Sequence, residues 1–267
     1  MSGPAWSEAF DPDLLAMVAA LPLPKPTRSW AWGGSTGKGV KVAIVDSGVD
    51  AQHPRVLGLA GMVTIELDPE GEPVVIEGPH HDRVGHGTAC AGIIRQIAPD
   101  AEIYSVQVLG DNLKGKGKVF CAGIEWALEA GMDVVSMSLS TRSDQWFGRL
   151  HDLADAAYFQ NTVLVCAANN VPGPTYPSQF ASVVSVAARV GHDPLTLAYN
   201  PRPPVEYGAC GIDLEVAWQG DGTIVATGNS FATPHIAGMV ALLLAKHPGL
   251  TSFQVKSVLQ ALAENTE

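Results

Sequence analysis

Asp46 ends the apolar run in VAIVDSGVD, His86 stands in GHGTACAG, and Ser230 stands in GNSFATPHIAG, in that order along the chain. Together these residue types could carry nucleophilic acyl transfer. A serine hydroxyl attacks poorly until a base takes its proton. An imidazole can take that proton near neutral pH, and a carboxylate can hold the imidazole in the required tautomer. Ser230 also begins an apolar helix just after Gly228 and Asn229. Its hydroxyl and backbone N–H would then sit at a helix N-terminus, where negative charge is favoured. Each residue alone has an ordinary explanation: serines cap helices, strand-end aspartates make turns, and single histidines serve structure. The argument rests on three motifs falling on consistent elements in one order.

Such residues need a frame to bring them together. From Val40 onward, the strand-length apolar runs KVAIVD, IYSVQVL, DVVSMSL, TVLVCAA and VVSVAA alternate with helical patterns over residues 88–96, 119–130 and 150–160. Near-continuous apolar strands joined by amphipathic helices predict an α/β fold of three layers, a mainly parallel central sheet flanked by helices. In such sheets the ligand crevice lies beyond the carboxyl ends of the strands, where Asp46, Ser138 and Asn170 fall. Residues 230–246 and 252–264 read as two closing helices. Residues 1–39 read as a surface-wrapping N-terminal arm, with a helical pattern at Asp13–Ala20 followed by LPLPKP, and residues 40–267 as one domain.

Composition narrows the function. The chain has 267 residues, 46% hydrophobic and 16% charged, enough for one large core. A net charge of −11 with scattered basic residues argues against a nucleic-acid partner. No run reaches the length needed to span a bilayer, so no membrane partner is expected. The opening MSGPAWSEAFDPDLL lacks a secretory pattern, which makes a cytoplasmic location the expectation. Cys90, Cys121, Cys166 and Cys210 show no metal-type spacing and read as reduced core thiols.

The three motifs are similar to the active-site motifs of the subtilisin-like serine protease family, and the order of elements agrees from about Gly39 to the end. The resemblance implies a serine endopeptidase that hydrolyses polypeptides, with Asp46, His86 and Ser230 as its triad. It implies an oxyanion hole made by Ser230 and the side chain of Asn170 in VLVCAANNV, although Asn169 offers the same group one residue earlier. It further implies that substrate lies as an extended strand between Lys114, Gly115, Lys116 and Gly117 on one side and Ser138, Leu139 and Ser140 on the other. The LKGKGK run also fits a flexible, solvated loop. Ser138, Leu139, Ser140, Ala167, Ala168 and Asn169 would line the primary specificity pocket.

The sequence departs from the family in several places. Ser140 and Asn169 stand where the family usually has glycine, which would narrow or polarise that pocket, and NNVPGPTYPSQF is a shortened loop. Asn229 replaces the usual threonine, Phe231 the usual methionine, and AWQG the common APG. Arg55 stands where secreted members carry a calcium-binding acid, and HGTACAGIIRQIAPDAEIYSV leaves no room for a metal loop. The expectation is no metal and no cofactor. Three roles fit: an endopeptidase, degradative or dedicated to maturing one precursor; a peptide ligase or macrocyclase using the same acyl-enzyme; and an inactive binding scaffold, which the intact triad disfavours. LPLPKP could also lie across the cleft as an inhibitor.

Overall fold

The computed structural model describes residues 26–202 and 204–265. Its centre is a nine-stranded sheet, and every strand expected from the apolar runs belongs to it. In chain order these are β1 (Lys41–Asp46), β4 (Glu102–Gln107), β5 (Val134–Met137), β6 (Val163–Ala167) and β7 (Val184–Arg189). β2 (Gly61–Leu67), β3 (Pro73–Glu77), β8 (Leu197–Tyr199) and β9 (Tyr207–Cys210) complete it in the order β3-β2-β4-β1-β5-β6-β7-β9-β8. The interior pairings are parallel, and only β3 and β8 at the two edges run antiparallel. β10 (Leu214–Ala217) and β11 (Thr223–Ala226) form a separate hairpin.

Both faces of the sheet are covered, which is why β1, β5 and β6 are apolar without alternation. One face packs against α2 (His86–Ile97) and α5 (Asn229–Lys246), with α6 (Ser252–Leu262) joining the same core. The other packs against α3 (Gly117–Glu129) and α4 (Phe147–Phe159). Helix α5 is buried on all sides over Phe231–Leu243, so it is apolar all round rather than amphipathic. The three-layer α/β expectation is borne out. The chain leaves β1 toward β4 on one side and β5 on the other, so the order of strands reverses at β1. Asp46 ends that strand.

The sequence reading did not anticipate the β2–β3 hairpin or β8, β9 and β11. Residues 26–39, read as arm, are anchored to the body. Helix α1 (Arg28–Trp32) buries Ala31 and Trp32 in the core, Trp30 stacks on His247 at 4.1 Å, and Lys246 Nζ donates to the carbonyls of Ser29 and Gly33. The expected helix at residues 13–20 and the LPLPKP segment up to residue 25 lie outside the described residues. All four cysteines are buried and unpaired.

Candidate active site

The carboxylate of Asp46 is wholly buried at the end of β1. Its Oδ1 accepts from the Ser47 backbone N–H at 2.7 Å and from His86 Nδ1–H at 2.8 Å, while Oδ2 lies 3.0 Å from the same nitrogen. With Nδ1 committed, Nε2 is the nitrogen of His86 left to act as a base. His86 and Ser230 line one cavity of about 420 Å³, together with Ser138, Leu139, Ser140, Ala167, Ala168, Asn169 and Asn170. A cavity of about 490 Å³ between α4, α6 and β8–β9 shares no residue with it.

The GHG motif has a local cause. Gly85 precedes α2 at φ +104°, in the left-handed region that suits glycine, and a Cβ there would press on Trp218. A Cβ on Gly87 would collide with the Gly48 carbonyl, so only glycine lets α2 lie close enough to β1 for the two side chains to meet. Asp82, which the sequence reading missed, fastens this junction. Its carboxylate accepts from Ser47 Oγ, from the backbone N–H groups of Val84, Gly85 and Thr88, and from Thr88 Oγ1. Ser47 Oγ in turn accepts from Gly87 N–H. An acid four residues before the motif histidine, at the start of a helix without its own side-chain cap, was the available signal.

Burial alone would push the His86 imidazole down, but the charge and hydrogen bond of Asp46, with the charge of Asp82, outweigh it and hold His86 above its ordinary value of 6.5. Only neutral imidazole can accept a proton, so kcat/KM is expected to rise with pH through a midpoint above 6.5. Stability runs the other way. A raised folded value means that pairing of the protonated ring with Asp46 contributes fully below 6.5 and is lost as pH climbs through the folded value. A pH–rate profile with a midpoint below 6.5 contradicts the geometry.

Ser230 is in the first turn of α5, where the backbone N–H has no acceptor within the helix. Pro234 adds a second consequence. It lacks the N–H that would bond to the Ser230 carbonyl four residues back. Ser138 Oγ fills that vacancy at 2.8 Å from the end of β5, and Cys90 Sγ lies 3.7 Å from the same oxygen. Cys90 also donates to Ser138 Oγ at 3.2 Å and sits 3.9 Å from Asp46 Oδ2. Asp46, His86 and Cys90 bring their donor atoms within 4.8 Å of one another. Burial, then the charge of Asp46, pushes that thiol well up, while Asp46 and His86 bond each other, an arrangement suited to proton transfer rather than to a metal.

The two asparagines after β6 separate clearly. Asn169 Oδ1 accepts from Val171 N–H in a local turn. Asn170 Oδ1 accepts from Asn229 N–H at 3.0 Å, and Asn170 lines the same cavity as Ser230. A methyl group built on Gly228 would lie 3.2 Å from Ser230 Oγ and 3.7 Å from Asn170 Nδ2, which locates the space between them. If that space holds an oxyanion, Asn170→Ala should lower kcat by about 100- to 1000-fold with little change in KM. Asn169→Ala should not do so, and equal losses in steady-state kinetics would undo the assignment.

Asn229 ties the surrounding segments together. Its Oδ1 accepts from Ala188 N–H near the end of β7, and its Nδ2 donates to the carbonyls of Ala168 and Asn169. Phe231 packs against the His86 ring at 5.4 Å. The other expected wall is differently placed. Leu109 and Leu113 line the main cavity, whereas Lys114, Gly115 and Lys116 line an adjoining cavity of about 340 Å³ with Thr64, Glu66 and Arg83. Gly110 N–H bonds the Lys114 carbonyl and Leu113 N–H the Gly110 carbonyl, closing a tight loop that brings Leu113 to the cleft. Gly117 begins α3 beneath the indole of Trp146. Trp218 of the AWQG segment also lines the main cavity.

Arg55 pairs with Glu215, and α2 runs unbroken to within a short turn of β4. The guanidinium of Arg95 donates to the carbonyls of Val56, Gly58, Pro99 and Ala101, joining the loop after β1 to the turn after α2. Among the described residues no helix is long and apolar enough to cross a membrane.

The chain is similar to known proteins in sequence and in fold. The subtilase family profile, peptidase S8, matches residues 37–267. The minor extracellular protease Epr of Bacillus subtilis is 34% identical over 239 residues, covering 85% of this chain and 35% of Epr. Subtilisin E of the same organism is 33% identical over 247 residues, covering 86% of this chain and 62% of that protein. The chain thus spans about a third and three fifths of these relatives. The crystal structure of a cold-adapted subtilisin-like serine proteinase superposes with a TM-score of 0.71 at 26% identity, covering 87% of this chain and 86% of that one.

Proposed function

The chain belongs to the subtilase family, and on that premise we propose that it is a serine endopeptidase acting on polypeptides through Asp46, His86 and Ser230. The observation that carries the reading is the buried Asp46–His86 hydrogen bond opening into the cavity that Ser230 and Asn170 share. Ser230 Oγ attacks the scissile carbonyl as His86 Nε2 takes its proton. The tetrahedral oxyanion is held by Asn170 Nδ2 and Ser230 N–H, and His86 returns the proton to the departing amine. Water then attacks the acyl-enzyme with His86 again as base. Ser140 and Asn169 in the cavity wall support a narrow choice of substrate, as in an enzyme dedicated to one precursor.

Incubating the protein with a diverse peptide mixture and a fluorophosphonate probe tests this. Labelling at Ser230 with hydrolysed products supports the reading. Labelling with joined rather than cleaved peptides replaces hydrolysis by ligation, and absence of labelling leaves a binding scaffold.

Calcium has no part in this proposal. The residues that would hold it in the family are here Arg55 and an uninterrupted helix, and Arg95 already supplies a cation to four carbonyls between the same segments. A strong chelator should leave Tm unchanged, while Arg95→Ala should lower it by about 5 °C or more. A fall of tens of degrees in chelator would refute the exchange of ion for side chain.

A further inference from the structure

We propose that the cleft selects polypeptides bearing acidic side chains within about four residues of the scissile bond, and that Lys114, Lys116 and Arg142 read them. The inference rests on the endopeptidase reading and adds a substrate class to it. The chain has 27 acidic and 16 basic residues, so its surface is mostly negative. Yet no carboxylate lines the cavity that holds His86 and Ser230; Asp46 is buried behind the imidazole.

The basic residues divide into two groups. Arg28, Arg55, Arg83, Lys118, Arg149, Arg189 and Lys256 pair with carboxylates, while Arg95 and Lys246 are taken up by carbonyls. Among the described residues, the side chains of Lys38, Lys41, Lys114, Lys116, Arg142 and Arg202 have no such partner; of these, Lys114 and Lys116 are exposed and line the cavity adjoining the cleft, and Arg142 is exposed two residues beyond Ser140 of the main cavity. Lys114 follows Leu113 of the main cavity, and Lys114 and Lys116 line the adjoining one, which shares Leu109 with it.

Arg142 stands on the opposite wall, two residues beyond Ser140, with its guanidinium lying over Gly173 of the segment that follows Asn170. A strand laid along this wall would advance one residue for each of its own. Arg142 would then meet a substrate residue about four positions from the one beside Ser138.

Carboxylates of the surrounding segments are already engaged. Glu66 and Asp111 face Arg83, Glu72 faces Lys118, and Asp144 accepts from the Tyr176 hydroxyl. Free cations on both walls of a cleft without free carboxylates concentrate positive potential where the substrate must lie. A guanidinium adds forked recognition of a carboxylate.

The test uses the full chain with Ser230→Ala, so that binding is read without cleavage. Fluorescein-labelled peptides of one sequence, carrying Glu, Gln or Lys at the flanking positions, are titrated by fluorescence anisotropy at low salt and at about 0.5 M salt, where screening reaches only a few ångströms. The Glu peptide is expected to bind about ten-fold more tightly than the Gln peptide at low salt and within about three-fold of it at high salt. In Lys114→Glu/Lys116→Glu/Arg142→Glu the order should invert, with the Lys peptide tightest. Equal binding of the Glu and Gln peptides, binding of neither, or a preference unchanged by the triple charge reversal overturns the proposal. A Glu preference in a protein whose Ser230 form cleaves nothing would instead overturn the endopeptidase reading and leave the acidic selection standing.

Discussion

Replacing Ser230 by alanine is expected to lower kcat about a million-fold, the scale on which removal of a triad serine acts, or about 8 kcal/mol of transition-state stabilisation. The loss is large because the other groups in the cavity have no second nucleophile to serve. The Ser138 hydroxyl, in the same cavity, is committed as a donor to the Ser230 carbonyl. The Cys90 thiol is buried, and burial keeps it protonated. What survives is the capacity to bind and polarise substrate at Asn170 and the α5 N-terminus, so KM should stay within a few-fold of wild type. Single-turnover rates on a cleaved peptide, with fluorophosphonate labelling alongside, measure both parts. A variant retaining more than about one thousandth of the activity would mean that another group attacks.

Asp46→Asn is expected to cost about ten thousand-fold while leaving the fold intact, through the tautomer of His86. In the wild type, Oδ1 accepts from both Ser47 N–H and His86 Nδ1–H. An asparagine that keeps the Ser47 bond with its carbonyl at the Oδ1 position places its NH₂ where Oδ2 lies, 3.0 Å from His86 Nδ1. Two donors cannot face each other, so the imidazole moves its proton to Nε2, the nitrogen that has to receive one from Ser230. The signature is a fall in kcat that shrinks at alkaline pH, where hydroxide can replace the blocked base, with a melting transition unchanged at alkaline pH, where His86 is neutral in both proteins. A loss below ten-fold would reduce Asp46 to a structural residue.

Much of this site is legible from sequence because its chemistry sits on the strongest local patterns. β1, β5 and β6 are buried on both faces, so their apolar runs announce them, and each delivers one polar group at its end. The β2–β3 hairpin carried a weaker signal. Alternation across Met62–Leu67 and a turn at Asp68–Glu72 were present, but β3 leaves Val74, Val75 and Ile76 exposed and so lacks a clean buried face. β8, β9 and β11 have three or four residues each, too few to set a period, and take their register from neighbours.

Roles created by tertiary contact were invisible. The choice between Asn169 and Asn170 turns on which carbonyl oxygen meets Asn229 N–H. The substitution at 229 looked like a departure from the family and is instead a three-bond clamp on the cavity wall. The contribution of Leu113 to the cleft depends on a loop closure between Gly110 and Lys114, which no spacing rule encodes.

The missing N–H of Pro234 makes two distant positions a single thermodynamic unit. Because Ser138 supplies the donor that the helix withholds, the value of that hydroxyl is defined only with proline at 234. With an ordinary residue there, the helix would satisfy the Ser230 carbonyl itself, and the serine at the end of β5 would become redundant. Effects of changes at 138 and 234 therefore do not add. Sequence drift at one position is conditional on the other, although 96 residues of chain separate them.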